Sequence, residues 1–349
     1  MKLLSLVVGH DASACVIKDG NILFFMEEEK LTYLKKDHFP LNLLKEVKKY
    51  VDDEIDVYII TYIDYPDREV ESMFAIFKEF LLKKNNIKAK KTLIELDHHL
   101  MHASCAFYGS GFTEALVFVS DGGGRVEGDW ENQEFESVYV ASYPCNFNLL
   151  EKMYRTSFSG KWDDNNPIYS MGGAFQMVCE MLDFKWYDSG KIMGLSAYGN
   201  DNKNIDNFFI KKDNKWIANK YYYKIWGELE QKIDSGLDLK KIKKQLESFQ
   251  YKADLAYKVQ KQSKERSLDR INDITKKNKI KNFVMTGGYA LNCVNNYEYI
   301  KAFPNINFYF DPLANDAGTS LGAAKYYWHK LTNDEMIRPL TSLYLGHEH

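Results

Sequence analysis

Three of the chain's eight histidines fall within five positions, in Asp97-His98-His99-Leu100-Met101-His102-Ala103. On a helix, His98 and His102 stand one turn apart on the same face, the spacing at which both ring nitrogens reach a single metal ion. The apolar run from Ala115 to Ser120 follows soon after and ends in Asp121-Gly122-Gly123-Gly124, so a carboxylate stands where a strand gives way to a loop. Two imidazoles and a carboxylate suit Fe, Zn or Mn and leave positions for substrate or water. The histidines also have a plainer reading as hydrogen-bonded, partly buried helix residues. Strand-end loops, however, are where α/β folds put ligand groups.

Glycine lets backbone N–H groups approach phosphate oxygens without a Cβ in the way. Asp121-Gly122-Gly123-Gly124, Gly172-Gly173 and Gly287-Gly288 are therefore candidates for a nucleotide cleft, although each alone reads first as a tight turn. Gly9-His10-Asp11-Ala12-Ser13 sets a base, an acid and a hydroxyl together after the first apolar run. They either face a ligand or satisfy a hairpin's own backbone. Asn315-Asp316-Ala317-Gly318 precedes the small residues Thr319 to Ala324, which read as a closely packed helix. Asp316 is then either its N-cap or a metal ligand brought from the far half of the chain. His347-Glu348-His349 lies at a terminus, where fraying makes metal binding adventitious.

These groups need strands and helices to position them. Leu3 to Val8, Ala14 to Ile17 and Ile22 to Met26 read as strands, the last two joined by a hairpin at Lys18-Asp19-Gly20-Asn21. Ala115 to Val119 opens a comparable unit that passes through the Gly-rich loop and resumes at Ser137 to Ser142, the pattern of an internal duplication. Asp56 to Tyr62 and Phe283 to Thr286 read as buried strands and Val70 to Lys83 as an amphipathic helix, so strands and helices alternate in the α/β manner. Residues 201–282 carry 21 Lys and Arg against 12 Asp and Glu, with one helix expected from Leu237 through Ile274. Such a run is usually a solvated helix face. The alternative is a basic surface for a phosphorylated or polyanionic substrate.

A chain of 349 residues, 45% of them hydrophobic, is long enough for two compact lobes. Its net charge of −3 argues against nucleic-acid binding through overall charge. Cys15, Cys105, Cys145, Cys179 and Cys293 are odd in number and widely spaced, which disfavours a disulfide framework or a thiolate zinc site and fits a reducing compartment. The run Leu3 to Val8 is stopped by Gly9-His10-Asp11 short of a signal peptide's apolar core. No stretch approaches the roughly 20 apolar residues that cross a bilayer. A cytoplasmic enzyme with no membrane partner is expected.

With these residues in hand, the chain resembles the O-carbamoyltransferase family of nodulation-factor and antibiotic carbamoyltransferases, whose amino-terminal lobe is similar to the tRNA threonylcarbamoyl transferase. The resemblance rests on GHDASACVIKDGNI (9–22), FMEEEKLTYLKKDHFP (25–40), DHHLMHASCAFYGSGFTEALVFVSDGGG (97–124), SGKIMGLSAYGN (189–200), MTGGYALNCVNN (285–296) and FDPLANDAGTSLGAA (310–324). These segments keep the family's order over nearly the whole chain. They imply a duplicated, actin-like α/β fold of the ASKHA class with a nucleotide and metal cleft between two lobes. The first lobe is expected over 1–112 and the second over 113–339, with a basic helical insertion at about 201–282 and a linker at 340–349.

The resemblance also implies a divalent metal, typically Fe(II), on His98, His102, Asp121 and Asp316, with His99 as a supporting neighbour. It implies that a carbamoyl group passes from carbamoyl phosphate, through carbamoyl-adenylate formed with ATP, onto a hydroxyl of a small molecule or modified nucleotide. A metal on imidazoles and carboxylates polarises the carbamoyl carbonyl as a Lewis acid, and His10 is the candidate general base, held by Asp11. Gly122, Gly123, Gly190, Lys191, Gly194, Gly287, Gly288 and Asn292 are the candidate adenylate contacts. Two departures matter. Relatives continue past a Tyr-Leu-Gly-Pro segment into a YrdC-like domain that makes the adenylate, whereas this sequence reads Tyr344-Leu345-Gly346-His347. Either it is a piece of a longer chain or a separate YrdC-like protein supplies the activated group. Lys35-Lys36-Asp37 stands where relatives often have Lys-His-Asp. Two further readings are threonylcarbamoyl transfer to tRNA adenosine, which the Gly-His-Asp-Ala-Ser and His-His-x-x-His forms fit less well, and a non-catalytic nucleotide-binding subunit. Nucleic acid enters only as an acceptor.

Overall fold

The computed structural model describes residues 1–51, 54–62, 82–127, 132–156, 169–229, 237 and 239–346. The helix expected at Val70 to Lys83 falls almost wholly outside the described residues, as does His347-Glu348-His349.

Strands β1 (Lys2–Val8), β2 (Ser13–Lys18), β3 (Asn21–Glu27), β4 (Glu54–Tyr62) and β5 (Lys88–Glu95) form one sheet in the order β3-β2-β1-β4-β5. The β2–β3 hairpin turns at Asp19 and Gly20, both in the left-handed region at φ 49° and 80°, which is the backbone that an Asp-Gly pair provides. The second sheet repeats this plan. Strands β6 (Glu114–Ser120), β8 (Asn132–Ser142) and β9 (Asn146–Thr156) are antiparallel neighbours, with the short β7 (Val126–Glu127) also on β8. Beside β6 run β12 (Asn282–Thr286) and β13 (Asn307–Phe310), parallel as β4 and β5 are beside β1. Strands β10 (Phe209–Lys212) and β11 (Lys215–Ala218) make a separate hairpin. Apart from the short β7, each sheet thus carries three antiparallel strands and two parallel ones, the duplication expected from the two matching starts.

The short helices α1 (Glu29–Thr32) and α2 (Leu43–Val47) lie between β3 and β4. Helices α3 (His98–Ser110) and α10 (Gly318–Thr332) follow β5 and β13, equivalent places in the two halves, and pack on each other. The residues Leu321, Ala324 and Trp328 of α10 join Leu3, Ile17 and Ile59 of the first sheet, while Ala103, Ala106 and Phe107 of α3 pack on Val117, Val119 and Val284 of the second. The final helix, within the stretch assigned above to the second lobe, therefore rests on the first sheet. Small residues make the contact possible: a Cβ on Gly322 would sit 1.9 Å from the Met101 carbonyl oxygen.

The other face of the second sheet is covered by α4 (Met171–Met181), α5 (Ser189–Leu195), α6 (Lys220–Leu229), α7 (Leu239–Leu246), α8 (Phe249–Lys277) and α9 (Cys293–Ala302). Met171, Phe175, Leu255 and Val259 share a core there with Leu116, Phe118 and Met285. The single helix expected from Leu237 through Ile274 is two, because Ser248 caps a new one by accepting from the Tyr251 N–H at 3.4 Å. The basic run is also more than a solvated face. Arg266 reaches Glu136 at 2.9 Å, and Arg270 reaches Glu151 at 2.6 Å, which ties α8 to β8 and β9. Among the described residues no helix is long and apolar enough to cross a membrane.

Candidate active site

Each sheet ends its first strand at a common cleft: β1 runs into Gly9-His10-Asp11 and β6 into Asp121-Gly122-Gly123. The helices that follow the parallel strands begin at the same cleft. Asp97 caps α3 by accepting from the Leu100 N–H at 2.9 Å, which sets His98 in its first turn and His102 one turn on. The duplicated fold therefore brings four equivalent positions together, and chemistry-bearing side chains occupy all of them.

The Nε2 atoms of His98 and His102 lie 3.0 Å apart, with the rings edge to face. Asp316 Oδ1 stands 3.2 Å from His102 Nε2 and 3.6 Å from His98 Nε2, and Asp121 Oδ2 stands 3.5 Å from His98 Nε2. One donor atom from each of the four falls within 4.8 Å of all the others, and all four residues are buried. Asp121 is oriented from behind by the Gly288 N–H, which donates to its Oδ1 at 3.0 Å. Asp316 is not the side-chain cap of α10. Its carbonyl accepts from the Thr319 hydroxyl at 2.6 Å, whereas its carboxylate makes no cap and turns into the cleft.

Electrostatics express the same convergence. Burial pulls the His98 pKa down, but Asp316 and Asp121 outweigh it and push the group up to about 9. Burial and the neighbouring Asp316 act to raise Asp121, yet His98 and His102 hold it below its ordinary value. Asp316 is likewise held down against burial by His98 and His102. Two buried carboxylates facing one point draw positive charge to it. His99 belongs elsewhere: its Nδ1 lies 2.7 Å from Ser137 Oγ, and burial drives its pKa down to about 4.

His10 adjoins this cluster, with Nε2 3.4 Å from Asp316 Oδ2 and Nδ1 3.1 Å from Asp11 Oδ2. Asp11 occupies the left-handed region at φ 63°, and its carboxylate also accepts from the Lys36 ammonium. That ammonium lies over the Trp186 ring, 5.3 Å from its centroid. Burial lowers the Lys36 pKa, but Asp11 and Asp316 raise it more, so the group stays cationic. Ser13, read with His10 and Asp11 as a possible hydroxyl of the site, faces away. Its Oγ bonds the Ala317 carbonyl and Ser320 Oγ, both at 2.8 Å, and so ties β2 to α10.

The cluster opens on a cavity of about 280 Å³ lined by Gly122, Gly123, Gly190, Gly288 and Asn292, with Phe175, Trp186 and Tyr289 among its apolar walls. Lys191 and Gly194 do not reach it. The Lys191 ammonium is exposed and paired with Asp188 at 2.8 Å, and a Cβ on Gly194 would meet nothing within 4 Å. Gly287 shapes the turn instead, at φ 86°, with a Cβ position only 2.4 Å from the Ser120 oxygen. The amide of Asn292 exchanges two 3.0 Å bonds with Gln260, which fixes it in the wall. The Gly-rich loop admits side chains: Cβ atoms on Gly122, Gly123 and Gly124 would strike Gln176, Gln133 with Arg155, and His98 with Glu134, respectively. Phe175, Gln176, Trp186 and Arg155 escaped the sequence reading because none sits in a spacing pattern; Lys36 was visible only as a departure.

The family model described as carbamoyltransferase N-terminus matches residues 68–325. The chain belongs to this family. Similar relatives include an uncharacterized protein of Synechocystis, 27% identical over 97% of this chain and 59% of its own length. An uncharacterized protein of Methanocaldococcus jannaschii is 29% identical over 92% of this chain and 56% of its own. Nodulation protein NolNO of Sinorhizobium fredii is 24% identical over 97% of this chain and 49% of its own. The chain thus spans about half to three-fifths of the length of these relatives. Among solved structures, full-length HypF in its phosphate- and nucleotide-bound form superposes with a TM-score of 0.54 at 13% identity, over 95% of this chain and 56% of that one. HypF of T. kodakarensis gives 0.51 at 12% identity, over 97% of this chain and 49% of that one. At such identities the likeness concerns the fold, which is the duplicated actin-like ASKHA class.

Proposed function

We propose that this carbamoyltransferase-family chain moves a carbamoyl group from carbamoyl-adenylate to an acceptor hydroxyl at a metal centre on His98, His102, Asp121 and Asp316. The observation that carries the reading is the convergence of those four donors within 4.8 Å, beside His10. The donor set, two imidazole nitrogens and two carboxylates, fits Fe(II) or another divalent cation, and the inward pull for positive charge on His98 supports it. Such an ion would supply Lewis acidity toward the carbamoyl carbonyl.

The protein's own groups do the rest. With the His10 Nδ1–H donating to Asp11, Nε2 is left as the base. The acceptor oxygen bonds to the carbamoyl carbon while the bond from that carbon to the adenylate phosphate oxygen breaks. AMP departs with that oxygen, and the hydroxyl proton passes to His10 Nε2, where the Asp316 carboxylate stabilises the imidazolium. Phe175 and Tyr289 offer apolar walls to the adenine, and Gly122, Gly123 and Gly190 let the ribose phosphate come close. The adenylate would come from carbamoyl phosphate and ATP through a YrdC-like domain or protein. Incubation with iron(II), carbamoyl-adenylate and a panel of hydroxylated acceptors tests this, with metal-dependent carbamate ester as the expected product. ATP binding without turnover, even with a YrdC-like protein added, would replace it by the reading of a non-catalytic subunit.

A further inference from the structure

The loop that carries Asp121 is clipped to β8. The Asp121 N–H donates to the Phe135 carbonyl at 2.9 Å, the Gly124 N–H to the Glu134 carbonyl at 2.8 Å, and the Glu134 N–H to the Arg125 carbonyl at 3.1 Å. Where β8 lies, Asp121 lies. His98 and His102 belong to a different element, α3, so a centre built from all three needs that helix held at a fixed place against this strand.

Glu134 spans the gap. Its carboxylate is buried, and its Oε1 accepts from the Arg125 N–H at 3.2 Å and from the His99 N–H at 3.3 Å. One oxygen thus holds both the end of the glycine loop and the first turn of α3, next to His98. The other oxygen faces the Lys152 ammonium of β9 at 2.7 Å, and Lys152 also reaches Asp97, the cap of α3, at 3.4 Å. Gly124 makes space for this arrangement, since a Cβ there would stand 2.8 Å from His98 Cδ2 and 2.9 Å from Glu134 Oε1. Glu134 itself is outside the four-donor group. A buried ion pair is a poor source of stability, because desolvation offsets the attraction, so what Glu134 orients accounts for it better than what it stabilises.

We propose that Glu134 is a positioning residue of the metal centre, its Oε1 fixing α3 against the glycine loop so that His98 and His102 meet Asp121 at ligating distance. The proposal rests on the metal reading above. It asks for an acceptor oxygen at this place, not for a negative charge, and the two can be separated.

Two double variants of the full chain carry the same charge and differ in that oxygen. Glu134→Gln with Lys152→Met keeps an acceptor for both N–H groups, whereas Glu134→Leu with Lys152→Met removes it. Changing both partners together strands no lone buried charge, and both variants lose the Lys152 contact to Asp97 alike. Cobalt(II) is the probe, because its visible absorption reports the number and arrangement of its ligands while calorimetric titration gives its affinity. The Gln variant is expected to bind within about three-fold of the unaltered protein and with its spectrum, and the Leu variant about ten-fold or more weaker with displaced bands. Circular dichroism in the far and near ultraviolet checks that each keeps its fold. Where the Leu variant does not fold, Glu134→Asn in the same Lys152→Met background takes its place, since the shorter amide cannot reach both N–H groups, and the same loss is expected. Equal affinity and spectrum in two folded variants would overturn the proposal, as would a Gln variant that loses cobalt, which would assign the effect to charge. Absence of cobalt binding by the unaltered protein would overturn the metal centre and this proposal with it, whereas equal binding by the two variants leaves the centre standing. The titration requires neither donor nor turnover, so its outcome is separate from that of carbamoyl transfer.

Discussion

His98 and His102 present nitrogens 3.0 Å apart, a distance at which two unprotonated lone pairs repel and a cation or shared proton is required between them. Removing one imidazole should therefore abolish metal binding while the buried α3–α10 contact keeps the fold. His102→Ala is predicted to lose stoichiometric iron by elemental analysis and to retain its far-ultraviolet circular dichroism, at a stability cost of roughly 1–3 kcal/mol. Full metal content in that variant would remove His102 from the ligand set. His98, His102 and Asp121 were legible as candidates in the sequence, the first two through helical spacing and the acid through its place at a strand end, whereas Asp316 was open between a cap and a ligand until the family resemblance added it to the set. Lys191 and Gly194 were misplaced because spacing alone does not say which side of a short helix faces a cavity.

At the scale of elements, α3 carries two of the four candidate ligands and Asp316 stands just before α10, so the separation of the two helices sets the geometry of the centre. Gly322→Ala would place a methyl 1.9 Å from the backbone oxygen of Met101, and backbone cannot step aside as a side chain does. The substitution is expected to lower stability by about 1–3 kcal/mol or more and to weaken metal affinity, although it touches no ligand. Denaturant unfolding and a metal titration check the two effects, and unchanged affinity would show that the helices do not set the site. The segment after α10 is clasped by Asp334, whose carboxylate accepts from Trp328 Nε1 at 2.8 Å, the Met336 N–H at 2.9 Å and Arg338 at 2.7 Å. Burial works to raise its pKa, but the Met336 N–H, Trp328 and Arg338 bring it down to about 2 from 3.8. A depressed pKa means that this clasp is fully present above about pH 4 and is lost as the pH falls through about 2. Amide exchange at Leu340 and Phe25, whose N–H groups donate to the Gly109 and Leu345 carbonyls, should rise over that window after correction for intrinsic rates, and Asp334→Asn should remove the dependence.

For the whole molecule, a cation on the four donors would join α3, the loop after β6 and the start of α10, and so bridge both sheets. A ligand that binds only the folded state stabilises it by about 2.7 kcal/mol at a hundred times its dissociation constant. Chelation should therefore lower the melting temperature by about 4 °C, with no shift in His102→Ala. An equal shift in both proteins would mean that the metal sits elsewhere. The sequence by itself determined the hairpin at Asp19-Gly20, the buried strands, the helical spacing of His98 and His102, and the duplication, because each is encoded by residues a few positions apart. It missed β5 and β9, whose mixed polarity hides the strand pattern, the short strands β7, β10, β11 and β13, and the break at Ser248. Only the tertiary structure decided that His102 meets Asp316 across 214 positions, that α10 lies on the first sheet, and that Lys36, Trp186 and Arg155 line the cleft. Those distances arise from two sheets closing on a pair of packed helices, a long-range outcome of side-chain volume that no local spacing records.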